Sequence, residues 1–540
     1  MKIGIAQFDP IVGAIEANTD ALIDAIPRFE ALGVSLVVTP ELFLMGYPPM
    51  DLVSHPSVQP KIEAALSRIV TATQSSSLGI IVGAPWMASG GRRRFNSAFL
   101  ISDGQVQFRW DKQLLPFYDV FYDPRLFVSG DPSHVVAWRG HRIGVMICED
   151  AWADMYSDDY LVNPITQIMA QNPDVVLIPT ASPFEVNKTG QRATVLSKVA
   201  VRLGTPVVMV NQVGAQDDVV YSGSSMAFNG NGDLVAQAPD FEMGVFVADT
   251  QGPSIELTLS SDIAQFALAI ETAIRGYVKK SMFSSVVLGL SGGIDSAVVA
   301  TLAVRALGRE NVIGVALPSI YSADESTRDA RKLAENLGFK LLEIPIQSIY
   351  LESLSQLGWA PSPVTVPMEN LQSRIRGNMI MAIANQTQSL ALSTGNKSEL
   401  AMGYCTLYGD MNGAISPLSD LYKTDVIRLA VWLNRDQKVI PDYTITRPPS
   451  AELRPDQTDQ ESLPAYEVLD QILKYLIEDQ KSKSEIVDLG YSEAMIMDII
   501  RKCHRNEFKR RQAATGVKLS YCAFGPGRRI PILARWPEDS

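Results

Sequence analysis

Six short runs of mostly apolar, often β-branched residues mark the first half of the chain. They read KIGIAQF from Lys2, SLVVTPE from Ser35, GIIVGAP from Gly79, GVMICED from Gly144, DVVLIPTAS from Asp174 and PVVMVNQVG from Pro206. Many of them run into turn residues or polar side chains. Continuous apolar strands of this kind belong inside a sheet that helices cover. Stretches of helical periodicity alternate with them, at residues 14–32 and 58–73. The alternation predicts a layered α/β domain.

The pattern loosens through DTQGPSIELTLSSD, which begins at Asp249. An amphipathic helix is predicted over residues 263–279, and a second α/β series follows. Its strands are SSVVLGL from Ser284, NVIGVALPS from Asn311, KLLEIP from Lys340 and SLALSTG from Ser389. The domain boundary is therefore expected near residue 255, with a first domain over residues 1–250, a linker over 251–262 and a second domain over 263–540. From about Leu463 the chain reads as helical and charged, ending in an irregular tail.

Composition narrows the class of protein. Of 540 residues, 46% are hydrophobic and 20% charged, as in soluble globular proteins, and a chain this long needs more than one core. A net charge of −12 argues against a nucleic-acid partner and for small-molecule work. No run reaches the about 18 apolar residues of a membrane span. The opening MKIGIAQFDP breaks at Asp9 and Pro10, too early for a signal peptide. Four cysteines without a CxxC pair suggest a reducing compartment, so a cytoplasmic protein is expected. Only four histidines are present, which disfavours a histidine base or a multi-histidine metal site.

The strongest motif is Gly289-Leu290-Ser291-Gly292-Gly293-Ile294-Asp295-Ser296, between an apolar strand and a helical run. Glycines let the backbone approach an anion, while serine hydroxyls and free N–H groups at a helix start can cradle phosphate. It is neither GxxxxGK[ST] nor GxGxxG. Asp295 would repel phosphate unless it held a cation, and Mg2+ is the hard ion that fits. The motif resembles the pyrophosphate loop of ATP pyrophosphatases, which include NAD, GMP and asparagine synthetases. A second cluster, Ser393 to Glu399 (STGNKSE), also follows a strand. In NAD synthetases the similar segment implies Thr394 as an ATP contact and Glu399 as a residue near metal and deamido-NAD. The same resemblance implies Lys423 in PLSDLYKTDV for the ATP phosphates, and Asn370 in ENLQSRIRGNMIMA and Lys509 in EFKRRQAATGVKLS for deamido-NAD. Arg374 and Arg376 share a helical run with Asn370. They either face the dinucleotide's phosphates or form a solvated basic face.

In the first half, Glu41 in VVTPELFLMGYPP, Lys112 in WDKQLLPFY and Cys148 in GVMICED resemble the three residues of nitrilase-type amidases. Singly, each has an ordinary reading as a turn cap, a surface charge or inert packing. Together they fit an amidase that works without histidine: a thiol nucleophile, a carboxylate base and a cation for the oxyanion. The resemblance further implies Tyr118, Ser182 and Lys188 as contacts for glutamine. Many relatives carry a supporting glutamate after the lysine; here the loop YDVFYDPRLF offers Asp123 instead.

Few families join these two halves in this order, and the chain resembles the glutamine-dependent NAD synthetases over nearly its whole length. That resemblance implies a nitrilase-like α-β-β-α sandwich followed by a Rossmann-like parallel sheet. It also implies deamido-NAD, ATP and L-glutamine as substrates, Mg2+ as cofactor, an internal passage for ammonia and a homo-oligomer. Three rival readings remain at this stage. They are another glutamine-dependent adenylating amidotransferase, a stand-alone amidase with a regulatory nucleotide-binding half, and a non-enzymatic nucleotide-binding scaffold.

Overall fold

The computed structural model describes residues 1–88 and 93–535. The chain forms two compact units, Met1–Ser260 and Ser261–Ser540.

The first unit contains two six-stranded sheets. One runs Gly244–Asp249, Lys2–Gln7, Leu36–Val38, Gly79–Met87, Arg94–Ser102, Gln105–Asp111 in spatial order. The other runs Leu234–Gln237, Met226–Phe228, Val207–Asn211, Val175–Thr180, His141–Val145, Val135–Trp138. Strand alternation decides what each face meets. Ile3, Ile5, Leu36 and Val38 of the first sheet pack with Ile143, Val145, Leu177 and Val208 of the second, so the sheets face each other across one apolar layer. The opposite face of the first sheet, with Val37, Ile80 and Val82, is covered by Leu22 and Phe29 of helix Ile15–Ala31 and by Ile62 and Ile69 of helix Val58–Ala72. Helices Pro164–Met169 and Lys188–Leu203 cover the outer face of the second sheet. This is an α-β-β-α sandwich. With both faces of each sheet buried, its inner strands read as unbroken apolar runs.

The second unit is built on a parallel six-stranded sheet ordered Lys340–Glu343, Val312–Ala316, Val286–Gly289, Leu390–Leu392, Ile415–Ser416, Thr515–Gly516. Numbered along the chain, that order is 3-2-1-4-5-6, the doubly wound arrangement. Helix Asp262–Lys280 packs on helices Ile294–Leu307 and Lys423–Leu433. A further cluster, Tyr466–Ile477, Lys483–Asp488 and Glu493–Arg505, has its own apolar core around Leu469, Ile472 and Ile499. The end of the chain is irregular after residue 516, as expected, but it is built into the domain. Residues 515–516 add the sixth strand, and Val517, Lys518, Leu519 and Cys522 are buried. Among the described residues no helix is long and apolar enough to cross a membrane.

Candidate active sites

In the first unit Glu41, Lys112 and Cys148 each follow a strand end. The strands are Leu36–Val38, Gln105–Asp111 and His141–Val145. Gly83 on the neighbouring strand admits the Glu41 turn. A Cβ there would lie 2.5 Å from the Leu42 nitrogen and 2.6 Å from the Pro40 oxygen, so any larger residue would push the turn away.

Lys112 is fully buried, with Nζ 2.7 Å from Glu41 Oε1 and 2.9 Å from Asp123 Oδ2. Asn96 Nδ2 also donates to Glu41 Oε1 at 2.7 Å, and the Ala181 N–H donates to Oε2 at 3.1 Å. The Tyr47 hydroxyl donates to Asp123 Oδ1 at 2.9 Å. Each carboxylate oxygen of the pair therefore has a donor, which is what makes buried charge tolerable. Burial opposes the lysine's charge, but Asp123 and Glu41 outweigh it and hold the ammonium well above its ordinary pKa. Lys112 is a fixed cation and no base.

Cys148 adopts the left-handed conformation, at φ 47°, and opens the turn Cys148–Trp152. Burial pushes its thiol well above the ordinary range; the Glu41 charge adds to this and Lys112 opposes it. At rest it is a neutral thiol. Asp150 fixes the turn by accepting the Ile147 N–H at 3.0 Å. It also accepts the Gln113 and Leu114 N–H groups at 3.1 and 2.8 Å. One carboxylate thus ties the cysteine turn to the segment that follows Lys112.

The structure adds a residue that the sequence reading omitted. Glu149 is buried beside Cys148 and accepts the Tyr118 hydroxyl at 3.0 and 3.1 Å and the Tyr160 hydroxyl at 2.8 Å. Burial raises its pKa, while Lys112, the two tyrosines and the charge of Lys188 pull it down. Tyr118, Glu149 and Lys188 are therefore brought together. Ser182 is buried at the end of strand Val175–Thr180, its N–H donating to Asn211 Oδ1 at 2.9 Å. The signal for Glu149 was present in CED: a charged pair directly after an apolar strand and a cysteine.

In the second unit the strands Val286–Gly289 and Leu390–Leu392 lie side by side where the strand order reverses. Ligands of open α/β sheets bind at that crevice. A cavity of about 280 Å3 opens there, lined by Gly289, Leu290, Ser291, Gly293, Ile294, Asp295 and Ser296 from the first motif and Thr394 and Glu399 from the second. Gly292 has φ +76°, and a Cβ on it would collide with the Ser326 carbonyl. The Gly293 N–H donates to Ser291 Oγ at 3.1 Å, and Ser296 Oγ donates to the Gly293 carbonyl at 3.0 Å. These internal hydrogen bonds and the close approach at Gly292 fix the shape of the loop.

Lys423 Nζ stands 2.5 Å from Asp295 Oδ2 and 3.6 Å from Glu399 Oε1. Asn396 Nδ2 donates to Asp295 Oδ1 at 2.9 Å. Burial and the Asp295 charge push Glu399 up to about 8, against the pull of Lys423. Burial also opposes the Lys423 charge, but Asp295 and Glu399 outweigh it and raise its pKa.

The remaining sequence candidates divide. Arg376 lines the cavity and donates to the Leu317 carbonyl at 3.0 Å, with burial lowering its pKa to about 10. Arg374 is exposed and donates to the Leu407 carbonyl. Asn370 and Lys509 are outside the cavity wall and meet instead at the 403–406 turn. Asn370 Oδ1 accepts the Thr406 hydroxyl at 2.8 Å, and Lys509 Nζ donates to the Gly403 and Cys405 carbonyls at 2.7 and 2.9 Å. Arg447, Glu452 and Asp459, which the sequence reading missed, line the cavity. They sit in a long stretch without hydrophobic periodicity, where only the proline pair after Arg447 hinted at a shaped loop.

The two units define a carbon–nitrogen hydrolase fused to a nucleotide-activating synthetase: the Carbon-nitrogen hydrolase family model matches residues 2–258 and the NAD synthase model residues 267–513. The glutamine-dependent NAD(+) synthetase of Synechocystis is 43% identical over 557 residues, covering 100% of both chains. The synthetase of the same name from Acinetobacter baylyi is 39% identical, covering 100% of this chain and 99% of its own. A solved glutamine-dependent NAD+ synthetase from Acinetobacter baumannii, in complex with adenosine diphosphate, superposes with a TM-score of 0.78 at 37% identity, covering 98% of each chain. One from Cytophaga hutchinsonii shares the fold with a TM-score of 0.82 at 21% identity, covering 99% of this chain and 98% of that one. The chain belongs to the glutamine-dependent NAD(+) synthetase family.

Proposed function

We propose that the protein is a ligase that amidates deamido-NAD to NAD with ATP, taking the ammonia from L-glutamine. The observation that carries this reading is the pairing of two charged centres in one full-length family member. One is Lys112 between Glu41 and Asp123 beside Cys148; the other is Lys423 between Asp295 and Glu399 at the reversal of the parallel sheet.

In the first centre Glu41 takes the thiol proton as Cys148 attacks the glutamine carboxamide, because a buried neutral thiol needs a base on demand. Lys112 stays charged and faces the developing oxyanion. Asp123 holds Lys112 from the other side, the task of the absent glutamate. Glu149, with its two tyrosine hydroxyls, receives the ammonium group of the amino-acid substrate, while Lys188 and Ser182 face its carboxylate. Glu41 then gives the thiol proton to the leaving nitrogen, and ammonia departs as the thioester forms. Water activated by the freed Glu41 carboxylate hydrolyses the thioester and restores the Cys148 thiol.

In the second centre the Gly289–Ser296 loop cradles the pyrophosphate of ATP, Thr394 contacts the nucleotide and Lys423 the phosphates. The nicotinate carboxylate attacks the α-phosphate, pyrophosphate leaves, and ammonia displaces AMP from the adenylate. Asn370 and Lys509 hold deamido-NAD by way of the 403–406 turn. The donor set suits Mg2+. Asp295 and Glu399 are hard oxygen ligands that repel each other, and magnesium sites pair one or two carboxylates with substrate phosphates. When bound, the ion neutralises phosphate charge. The protein is expected to act in the cytoplasm as a homo-oligomer.

Glu399 must shed its proton to serve as a ligand. Mg2+ affinity in the presence of ATP is therefore expected to rise with pH and level off above about 8, with proton release on binding below that. Calorimetry in buffers of different ionisation enthalpy checks this. A pH-independent affinity would remove Glu399 from the ligand set.

The assay that tests the whole reading is NAD formation from deamido-NAD, ATP and Mg2+ with glutamine or ammonium. Cys148→Ala is expected to lose glutamine-driven synthesis and keep ammonium-driven synthesis. If neither nitrogen source yields NAD while another acceptor consumes ATP, the substrate assignment falls.

A further inference from the structure

The turn that carries Asn396 and Glu399 to the cavity has a second side. Between them Lys397 opens the short helix Lys397–Met402, yet it is fully buried and outside the cavity wall. Its Nζ lies 2.8 Å from Asp420 Oδ1 and 2.8 Å from Glu478 Oε1, and donates to Ser520 Oγ at 2.9 Å and the Cys522 carbonyl at 3.0 Å. The Tyr422 ring lies 4.8 Å below it. Asp420 also accepts the N–H groups of Leu519 and Ser520, at 2.7 and 2.6 Å, and the Ser520 hydroxyl at 2.9 Å.

Three segments distant in sequence thus converge on one ammonium. Burying such an ion contributes little net stability compared with an apolar replacement, so its value lies in what it fixes. What it fixes is adjacent. Ser398 accepts the Lys423 N–H at 3.0 Å and donates to Asp470 at 2.5 Å, while Glu399 and Asn396 close the capping box that holds their own side chains. The same turn therefore holds the backbone from which the Lys423 side chain reaches Asp295, and it holds the carboxylate of Glu399.

We propose that Lys397 is a positioning residue for the phosphate chemistry of the cavity. By pinning the 396–399 turn to the chain's C-terminal segment around Ser520, it sets where Glu399 and Lys423 stand relative to Asp295. The inference rests on the synthetase reading above.

The test compares wild type, Lys397→Met and the milder Ser520→Ala. Each full-length protein is titrated with Mg2+ in the presence of a non-hydrolysable ATP analogue, and ammonium-driven NAD formation is assayed alongside. Basal glutamine hydrolysis without ATP serves as an internal control. Lost support behind a metal ligand typically weakens affinity by about 10–100-fold, so Lys397→Met is expected to bind Mg2+ at least about tenfold more weakly. Ser520→Ala is expected to shift the same way by less, with glutamine hydrolysis unchanged in both. A merely structural lysine would lower the number of sites titrated and leave their affinity alone, and that result overturns the proposal. Should Lys397→Met fail to fold, an unshifted affinity in Ser520→Ala overturns it equally. If the wild type makes no NAD, the substrate reading falls while the titration still decides the role of Lys397.

Discussion

Asp295→Asn is expected to cut NAD formation about a thousandfold with glutamine and with ammonium alike, the scale of losing one preorganised charge at a phosphoryl centre. The substitution keeps the shape and the oxygen that Asn396 donates to at 2.9 Å. It removes the charge that faces Lys423 at 2.5 Å and that helps to raise Glu399. Stability and activity should therefore separate. The raised pKa of Glu399 means that the folded state penalises its ionised form, and Asp295 is the second contributor to that penalty after burial. Without Asp295 the Glu399 pKa moves down from about 8 toward its ordinary value, which favours the fold at neutral and higher pH. Lys423 retains Glu399 as a partner. The relief at Glu399 is offset by the loss of the carboxylate that most supports the buried Lys423 charge, so the melting temperature should change little while turnover collapses. Initial rates with saturating ammonium, set beside a calorimetric melt, check both halves. A fall in melting temperature that accounts for the lost activity would make Asp295 a strut and not a ligand.

The same centre illustrates what a single sequence does and does not reveal. The glycine loop and the STGNKSE segment were legible because each follows an apolar strand, and strand ends on a parallel sheet are where ligands gather. Their adjacency was not legible. It comes from the 3-2-1-4-5-6 order, which sets side by side two strands some hundred residues apart. Both α/β halves were also readable, since buried strands give continuous apolar runs and their helices keep a 3.6 period. The antiparallel strands Arg94–Ser102 and Gln105–Asp111 escaped. The second alternates too weakly, with its residues mostly half-exposed or exposed. The sixth strand is two residues long, below anything a hydrophobic pattern resolves. Polar residues were hardest. Nothing local separates Arg376, which lines the cavity, from Arg374, which faces solvent, two positions away on one helix. Arg447, Glu452 and Asp459 reach the cavity on a segment whose path is set by tertiary contacts such as Arg447 Nη1 to Ser326 Oγ at 2.6 Å. Lys112, whose ordinary reading is a surface charge, is fully buried because two carboxylates meet it.

That burial makes Lys112→Met the second large effect. Glutamine hydrolysis is expected to fall by about a thousandfold or more, since the variant loses the cation facing the oxyanion. A second loss compounds the first. Without the ammonium, Glu41 and Asp123 are two buried carboxylates in one pocket, and one of them must take up a proton. Burial and the Glu41 charge already raise the Asp123 pKa, and Lys112 is the charge that opposes them, so Asp123 is the one to take it, and Glu41 loses the ammonium that holds it beside Cys148. Cys148 itself moves further from ionisation, because Lys112 is the charge that opposes burial and Glu41 in setting its pKa. Lys112→Arg is not a conservative control, because a planar five-donor fork does not fit a site shaped for one compact ammonium. Ammonium-driven NAD formation, in the other unit, should remain near the wild-type rate. A variant that kept glutamine-driven synthesis would return Lys112 to a structural part and move the oxyanion's support to backbone N–H groups at the Cys148 turn.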